Sequence, residues 1–396
     1  MNILIVSSFL PYPLFSGGHI RLYNLVKELS RRHAITLICE KRKYQTENDV
    51  KEIEKLCEVI WVKREKQWSI KNILQSGFSS YPFLMAGHTN SQMRKRIEDV
   101  LKQKKLDVIH VETFYVMQNM PEVETPIVLV EHNIEYLVYK RFAKTAPIVL
   151  KPLLFIDILK MKYWEQKFWR QTTKLVAVSD EDKGLMKRKD VIVVPNGVDI
   201  DRFKIKDLRF KNKEKKILFI GDFRWVQNRD AAEWILKEIW PEISSKLKVE
   251  SSKLILWIVG REIPESIKKL TNAQNVVFDE NAPKETSEIF RKADILLAPI
   301  RVGGGTSFKI LEAMASGVPV ITTHLGIEGI DAENDKSVLI SDDALGLASK
   351  TIDVLKNEEE YQRISINARR LIEEKYDWKI IVEKLESVYQ EAVQGV

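Results

Sequence analysis

Cysteine is scarce in this chain: two among 396 residues, Cys39 and Cys57. Two cysteines make neither a disulfide framework nor a thiolate zinc site. Cys39 lies in ITLICE (35–40), a run of strand-forming residues, and reads as inert core packing. No apolar run reaches the ~18 residues that a membrane-spanning helix needs; Lys, Asp or Pro interrupts each one sooner. The N-terminal MNILIVSSF has no basic leader, so it reads as a buried first strand instead of a signal peptide. Low-complexity tracts and short repeats are missing too. These absences exclude a disulfide framework and a membrane-spanning helix. They fit a reducing, cytoplasmic setting.

What remains is a soluble globular composition, 44% hydrophobic and 30% charged. A single core stops growing near ~250–300 residues, so 396 residues predict two domains. The formal charge of +7 is unevenly spread. Residues 1–200 hold 32 Lys/Arg against 23 Asp/Glu, and residues 201–396 hold 31 against 33. All the basic excess sits in the first half. A basic face attracts nucleic acid, anionic lipid or phosphorylated substrates, unless it is no more than solvated lysine.

The first half alternates short apolar runs with helical patterns. MNILIVSSF, AITLICE, CEVIWVK, LDVIHVE, TPIVLVEHN, TKLVAVS and VIVVPNG read as strands. HIRLYNLVKELSRR, SQMRKRIEDVLKQKK and a long segment near 147–172 read as helices. A charged stretch, 202–216, follows and reads as a linker. The alternation then restarts with KKILFIGDF, KLILWIVGR, QNVVFDE, ADILLAPI, GVPVITT and KSVLISD as strands and with five intervening helices. Strand–helix alternation rich in Val, Ile and Leu means parallel sheets covered on both faces. Two Rossmann-like domains in tandem, with a final helix WKIIVEKLESVYQEAV, are the expectation. Ligands of such sheets bind beyond the carboxyl ends of the strands.

One strand end stands out: RVGGGTSFKILEAMASGVPVI (301–321). Gly303, Gly304 and Gly305 stand where a strand hands over to a helix. Glycine allows a tight turn and a close approach to a ligand. A helix starting near Thr306 or Ser307 offers unpaired N–H groups and the positive end of its dipole, an anion site. Lys309, in the first turn, opposes that dipole unless a diphosphate is bound. The plainer alternative is a solvated lysine beside a turn. No Gly-Lys-Ser/Thr follows at Walker A spacing, and the first strand–helix junction, SSFLPYPLFSGGHIR, lacks G-x-G-x-x-G. A nicotinamide oxidoreductase is therefore disfavoured. Glu312, three residues after Lys309, suits the vicinal hydroxyls of a ribose; a salt bridge at the edge of the core is its alternative role.

With these residues assembled, the chain resembles the retaining family 4 glycosyltransferases, the glycosyl transferases group 1, of the GT-B fold. GGGTSFKILEAMASGVPVITT with GIEGI is similar to the donor-binding segment of that family, VPNGVDIDRF (194–203) to its signature at the end of the N-terminal domain, and SGGHIRLYNLVKEL (16–29) to its first loop and helix. VAVSDEDKGLM (176–186) is a further landmark, and VEHNIEY (130–136) resembles the strand end carrying the active-site histidine. The resemblance implies an α/β protein with two parallel sheets facing across a cleft. An acceptor-binding domain would span 1–205, rejoined by helix 378–396, and a nucleotide-sugar domain 206–377. It implies that Gly17 and Gly18 let the first loop approach the donor phosphate or acceptor, and that His132 touches the transferred sugar. Lys309 and the amides near Thr306 and Ser307 would hold the diphosphate, with Arg224 available beside them, and Glu312 would take the ribose. The chain departs from the family pattern at three places: Gly304 stands where a first glutamate is usual, Gln227 and Asn228 where a lysine is expected, and Glu112 where many members have a second histidine.

The implied reaction moves a hexose from a nucleotide-diphosphate sugar to an acceptor hydroxyl with retention, without an essential metal or other cofactor. Cell-envelope polysaccharide or glycolipid synthesis is its commonest setting. The acceptor would be a saccharide or a lipid-linked sugar. Segments 64–87 and 148–171 mix Lys and Arg with Trp, Phe, Leu and Ile. They either pack under the sheet or lie peripherally on an anionic membrane at the inner face of the cell. No aromatic stacking motif supports nucleic acid as a partner. A sugar-nucleotide epimerase and a non-catalytic sugar-nucleotide-binding protein are the alternative functions.

Overall fold

Thirteen apolar runs become thirteen strands among the described residues, in two all-parallel sheets. The structure is a computed structural model, and it describes residues 1–205, 214–247, 254–283, 285–303 and 305–395. The chain divides into two compact units, 1–195 with 381–396, and 196–380.

In the first unit the strands are β1 (Asn2–Ser7), β2 (Ala34–Lys41), β3 (Glu58–Lys63), β4 (Val108–Glu112), β5 (Ile127–Glu131), β6 (Lys174–Ala177) and β7 (Val191–Val193). Their order across the sheet is β3-β2-β1-β4-β5-β6-β7. The order reverses between β1 and β4, which pair in parallel from Ile3↔Val108 to Ser7↔Glu112. That reversal opens a crevice at the carboxyl ends of the two strands. Helix Gly17–Leu29 starts from that edge. Ser16 caps it, accepting from the His19 N–H, and Leu22, Leu25, Val26 and Leu29 are buried. Helix Lys151–Gln171 lays Met161, Phe168 and Trp169 on the core. Four of the segment's apolar residues do not pack under the sheet: Leu153, Phe155, Ile156 and Leu159 are exposed. The last seventeen-residue helix, Trp378–Gln394, buries Leu385, Val388 and Tyr389, and its Glu386 and Glu391 bond His33 and Lys174 of the first unit.

The second unit has β8 (Lys215–Asp222), β9 (Leu254–Arg261), β10 (Val276–Asp279), β11 (Ile295–Ala298), β12 (Val320–Thr322) and β13 (Leu339–Ile340), in the order β10-β9-β8-β11-β12-β13. Apolar clusters cover both faces of this sheet, as its near-continuous Ile, Leu and Val runs require. Of the segment expected to be a linker, 206–213 lies outside the described residues. At its ends Phe203 is buried against Phe290, and Lys215 already pairs with Leu254. The helix expected over 230–247 begins earlier, at Val226, and contains one wider π turn, Ile235–Ile239, immediately before Trp240 and Pro241. Proline has no N–H and its ring crowds the preceding turn; a π turn gives the ring room.

Candidate active site

Residues at the carboxyl ends of β8 and β11 form the first cluster. After β11 the chain turns through Gly303 (φ +115°) and Gly305 (φ +81°). Both lie in the left-handed region that a side chain would strain. Gly304 lies outside the described residues. Helix Phe308–Ala315 follows, with Ser307 at its N-cap. Among the described residues the Ser307 hydroxyl has no capping bond and the buried Thr306 hydroxyl has no hydrogen-bond partner. Its first turn carries no acidic residue. An unneutralised helix N-terminus beside an unpaired hydroxyl is built to receive acceptor atoms. The Gly305 N–H points at Glu328 Oε2, 3.4 Å away.

Lys309, the second residue of the helix, is half-buried. Its Nζ donates to Asn228 Oδ1 at 2.7 Å and lies 5.0 Å over the Phe219 ring. Burial pulls the ammonium down to about 8, and the charge of Glu312 opposes that pull. Asn228 donates in turn to the Asp222 carbonyl at 2.8 Å. Gly221 makes room for it: a Cβ there would stand 2.6 Å from Asn228 Cγ. So the asparagine that stands where a lysine was expected props up the lysine of a different element. Glu312 points elsewhere. It meets the Thr286 hydroxyl and the charge of Arg202, which is itself paired with Glu285 at 2.5 Å; burial raises its carboxyl to about 7 against those influences. Arg224 folds onto Asp222, with Nε 2.9 Å from Oδ1 and Nη2 2.5 Å from Oδ2.

A second cluster lies in the first unit. His132 follows β5 and is half-buried. Gly18, the second residue of helix Gly17–Leu29, faces it: a Cβ there would lie 3.5 Å from His132 Nδ1 and 3.2 Å from Phe9. The other ring nitrogen, Nε2, bonds Glu112 at the end of β4. His19 is buried, its Nδ1 2.7 Å from Ser16 Oγ and its Nε2 without a hydrogen-bond partner among the described residues; burial and then the charge of Arg42 pull it down to about 4, so it is neutral at pH 7.

The structure thus brings together Gly18 and His132 with the helix start at Gly17 in one unit. In the other it brings together Gly303, Gly305, Thr306, Ser307 and Lys309, with Glu312 on the same helix and Arg224 after β8. Asn228, Glu328 and Glu112 were not singled out as site residues. Asn228 and Glu112 showed in the sequence only as departures from the family pattern, and the pairing of Gly221 with Asn228 is a further local trace of the first. No described helix is long and apolar enough to cross a membrane. Among the described residues no group of three or more His, Cys, Asp or Glu is placed to hold a metal ion.

Two family models match the chain, Glycosyltransferase Family 4 over residues 15–202 and Glycosyl transferases group 1 over residues 214–357. An uncharacterized 44.6 kDa protein in the cps region of Klebsiella pneumoniae is 24% identical over 391 residues, 96% of this chain and 97% of the other. A phosphatidyl-myo-inositol mannosyltransferase of Mycolicibacterium smegmatis is 26% identical over 213 residues, 52% of this chain and 53% of that enzyme. Among solved structures, sucrose-phosphate synthase of Thermosynechococcus elongatus superposes with a TM-score of 0.72 at 14% identity over 100% of both chains. Anabaena HepE, in complex with UDP and glucose, superposes with a TM-score of 0.66 at 14% identity over 99% of this chain and 100% of that one. At such identities the superpositions speak for the fold, which is GT-B, and the two family models speak for the activity. The chain belongs to the family 4 glycosyltransferases, the glycosyl transferases group 1, and is a glycosyltransferase.

Proposed function

We propose that the enzyme transfers a hexose from a nucleotide-diphosphate sugar to an acceptor hydroxyl with retention at the anomeric carbon. The observation that carries this reading is the anion receptor after β11: left-handed glycines, an uncapped helix start, the unpaired Thr306 hydroxyl and Lys309. The diphosphate seats there, and Arg224 exchanges Asp222 for it. Glu312 leaves the Thr286 hydroxyl and turns to accept from the ribose hydroxyls. His132 and the helix start at Gly17 and Gly18 meet the transferred sugar. The bond from the anomeric carbon to the phosphate oxygen breaks, and the acceptor oxygen bonds the same face. The acceptor proton passes to the departing phosphate oxygen. Preorganised amides and Lys309 take up the charge on the leaving group, work that removal of one such donor typically weakens by ~2.7–4 kcal/mol; the reading assigns none of it to a metal. Supporting it, the Anabaena neighbour is described as binding UDP and glucose. The test is a thermal-shift panel of UDP, GDP, ADP and their common sugars on wild type and Glu312→Ala. One nucleotide should stabilise the wild type, and the variant should lose most of that shift. If no nucleotide stabilises the wild type, the donor site is misplaced.

The same proposal places the acceptor at an anionic membrane, in cell-envelope polysaccharide or glycolipid synthesis. Helix Ile70–Phe78 and the start of helix Lys151–Gln171 both present apolar side chains to solvent, and Lys160 joins the two by donating to the carbonyls of Ser76 and Ser79. Phe78, with Trp68, Ile148 and Val149 just before the two helices, is among the side chains that are 79–89% exposed. Two nearby acids are held back from solvent, Asp157 on the Phe83 N–H and Glu135 half-buried, while Glu65, Lys71, Lys144 and Lys151 are exposed. Apolar side chains ringed by cations suit an anionic bilayer interface. Two relatives fit this setting in their names: one lies in a cps region, and one is a phosphatidyl-myo-inositol mannosyltransferase.

A further inference from the structure

Behind His132 the first unit holds a line of buried polar groups with no part in the transfer as described so far. Glu112 is fully buried. Its Oε2 takes the hydrogen bond of His132 Nε2. Its Oε1 lies 3.0 Å from His110 Nε2, an ion-pair distance that misses hydrogen-bond angles. His110 Nδ1 sits 2.5 Å from the Tyr389 phenol oxygen, with the two rings edge to face. Tyr389 comes from the C-terminal helix, 279 residues away from His110 in sequence. Arg21 is buried beside them; its guanidinium donates to the carbonyls of Pro195 and Val194, at 2.7 and 2.9 Å, and its charge acts on Glu112.

A lone buried carboxylate would be costly, and this one has two imidazoles and a guanidinium around it. Burial by itself raises the Glu112 carboxyl; His132 and His110 outweigh that and hold it well below the ordinary carboxylate range. An ionised carboxylate only accepts. His132 Nε2 must therefore carry a proton, and Nδ1 is the nitrogen left for the side facing Gly18. The partner of one ring nitrogen fixes the state of the other.

We propose that Glu112, backed by His110 and Tyr389, is a positioning residue that fixes the Nε2-protonated form of His132 and aims its Nδ1 at the substrate. This rests on the assignment of His132 to the reaction. A merely structural ion cluster would hold β4, β5 and the last helix together and leave catalysis alone.

Two readouts test it. Long-range ¹H–¹⁵N spectra of histidine-labelled wild type, with the His132 signal identified by its loss in His132→Asn, should show protonated Nε2 and unprotonated Nδ1 at pH 8. An Nδ1-protonated or averaged ring overturns the proposal whatever His132 does in catalysis. The second is turnover of the sugar nucleotide that stabilises the protein, read as nucleotide diphosphate released. Glu112→Gln should lower kcat about 10–100-fold and move the donor KM less than about threefold; Tyr389→Phe should lower kcat about 2–10-fold with its fold intact by circular dichroism. Unchanged kcat in both variants, or loss shared equally with KM, overturns the positioning role. Full activity in His132→Asn together with the expected spectrum would instead sink the assignment of His132 and leave the geometry standing.

Discussion

Replacing Lys309 by methionine separates what the residue does for folding from what it does for the donor. Methionine keeps an unbranched apolar stem over the Phe219 ring and removes the ammonium. In the unliganded protein two effects oppose. Burial disfavours the cation, which is why it titrates near 8, so its removal is favourable. Asn228 Oδ1 loses its 2.7 Å partner in a mostly buried place, at a cost of ~1–3 kcal/mol if left unsatisfied. The net change should stay within ~1 kcal/mol, or about 2–4 °C in Tm. With nucleotide bound the sign is single. A charge-assisted bond to phosphate is worth ~1.5–3 kcal/mol, so Kd should weaken about 10–100-fold. At a nucleotide concentration a hundredfold above the wild-type Kd, mass action stabilises the wild type by ~2.7 kcal/mol and the variant by only about 0.4–1.4 kcal/mol. Thermal denaturation with and without the nucleotide, followed by calorimetric titration, reads both quantities. A variant that keeps the full ligand-induced shift would refute the placement of the diphosphate on this helix.

The same residue sets a pH dependence. Lys309 is cationic below about 8 and neutral above, so nucleotide affinity should be highest below that value, fall between pH 7.5 and 9.5, and be flat over this range in Lys309→Met; calorimetry in buffers of different ionisation enthalpy should show proton uptake on binding. Gly221→Ala should push Asn228 away from both Asp222 and Lys309, costing ~1–3 kcal/mol of stability by denaturant titration and weakening nucleotide binding severalfold. Phe78→Glu with Ile148→Glu should abolish co-sedimentation with phosphatidylglycerol vesicles and leave nucleotide binding unchanged; wild type that sediments no more with these than with phosphatidylcholine vesicles would count against the membrane face.

All thirteen strands among the described residues were legible, because most are Val-, Ile- and Leu-rich runs buried on both faces and the partly exposed edge strands β3 and β10 keep short apolar runs. Helix Ile70–Phe78 was not: its apolar residues Ile70, Ile73, Leu74 and Phe78 face outward, so no core-facing stripe marks it. Helix Glu135–Thr145 lacks a side-chain N-cap of its own. Its first amides are received by Glu165 from the neighbouring helix, a signal thirty residues distant. The same distance rule divides the site. Gly303, Gly305 and Lys309 are legible because a backbone turn and the helix after it are adjacent in sequence. The Asn228–Lys309 bond spans 81 residues and the His110–Tyr389 bond 279; only the fold creates them. The basic-aromatic segments showed their composition but not which way each residue faces, since Ile158 and Met161 pack inward while Leu159 on the same helix does not.

The central claim is that the sugar is transferred with its anomeric configuration retained. The direct test is the anomeric configuration of the product, read from the H1 coupling constant by NMR after incubation with the stabilising sugar nucleotide and a lipid-linked or saccharide acceptor. The account predicts the same anomer as in the donor. The opposite anomer would mean attack from the far face of the sugar, and a general base where the departing phosphate is assigned that work.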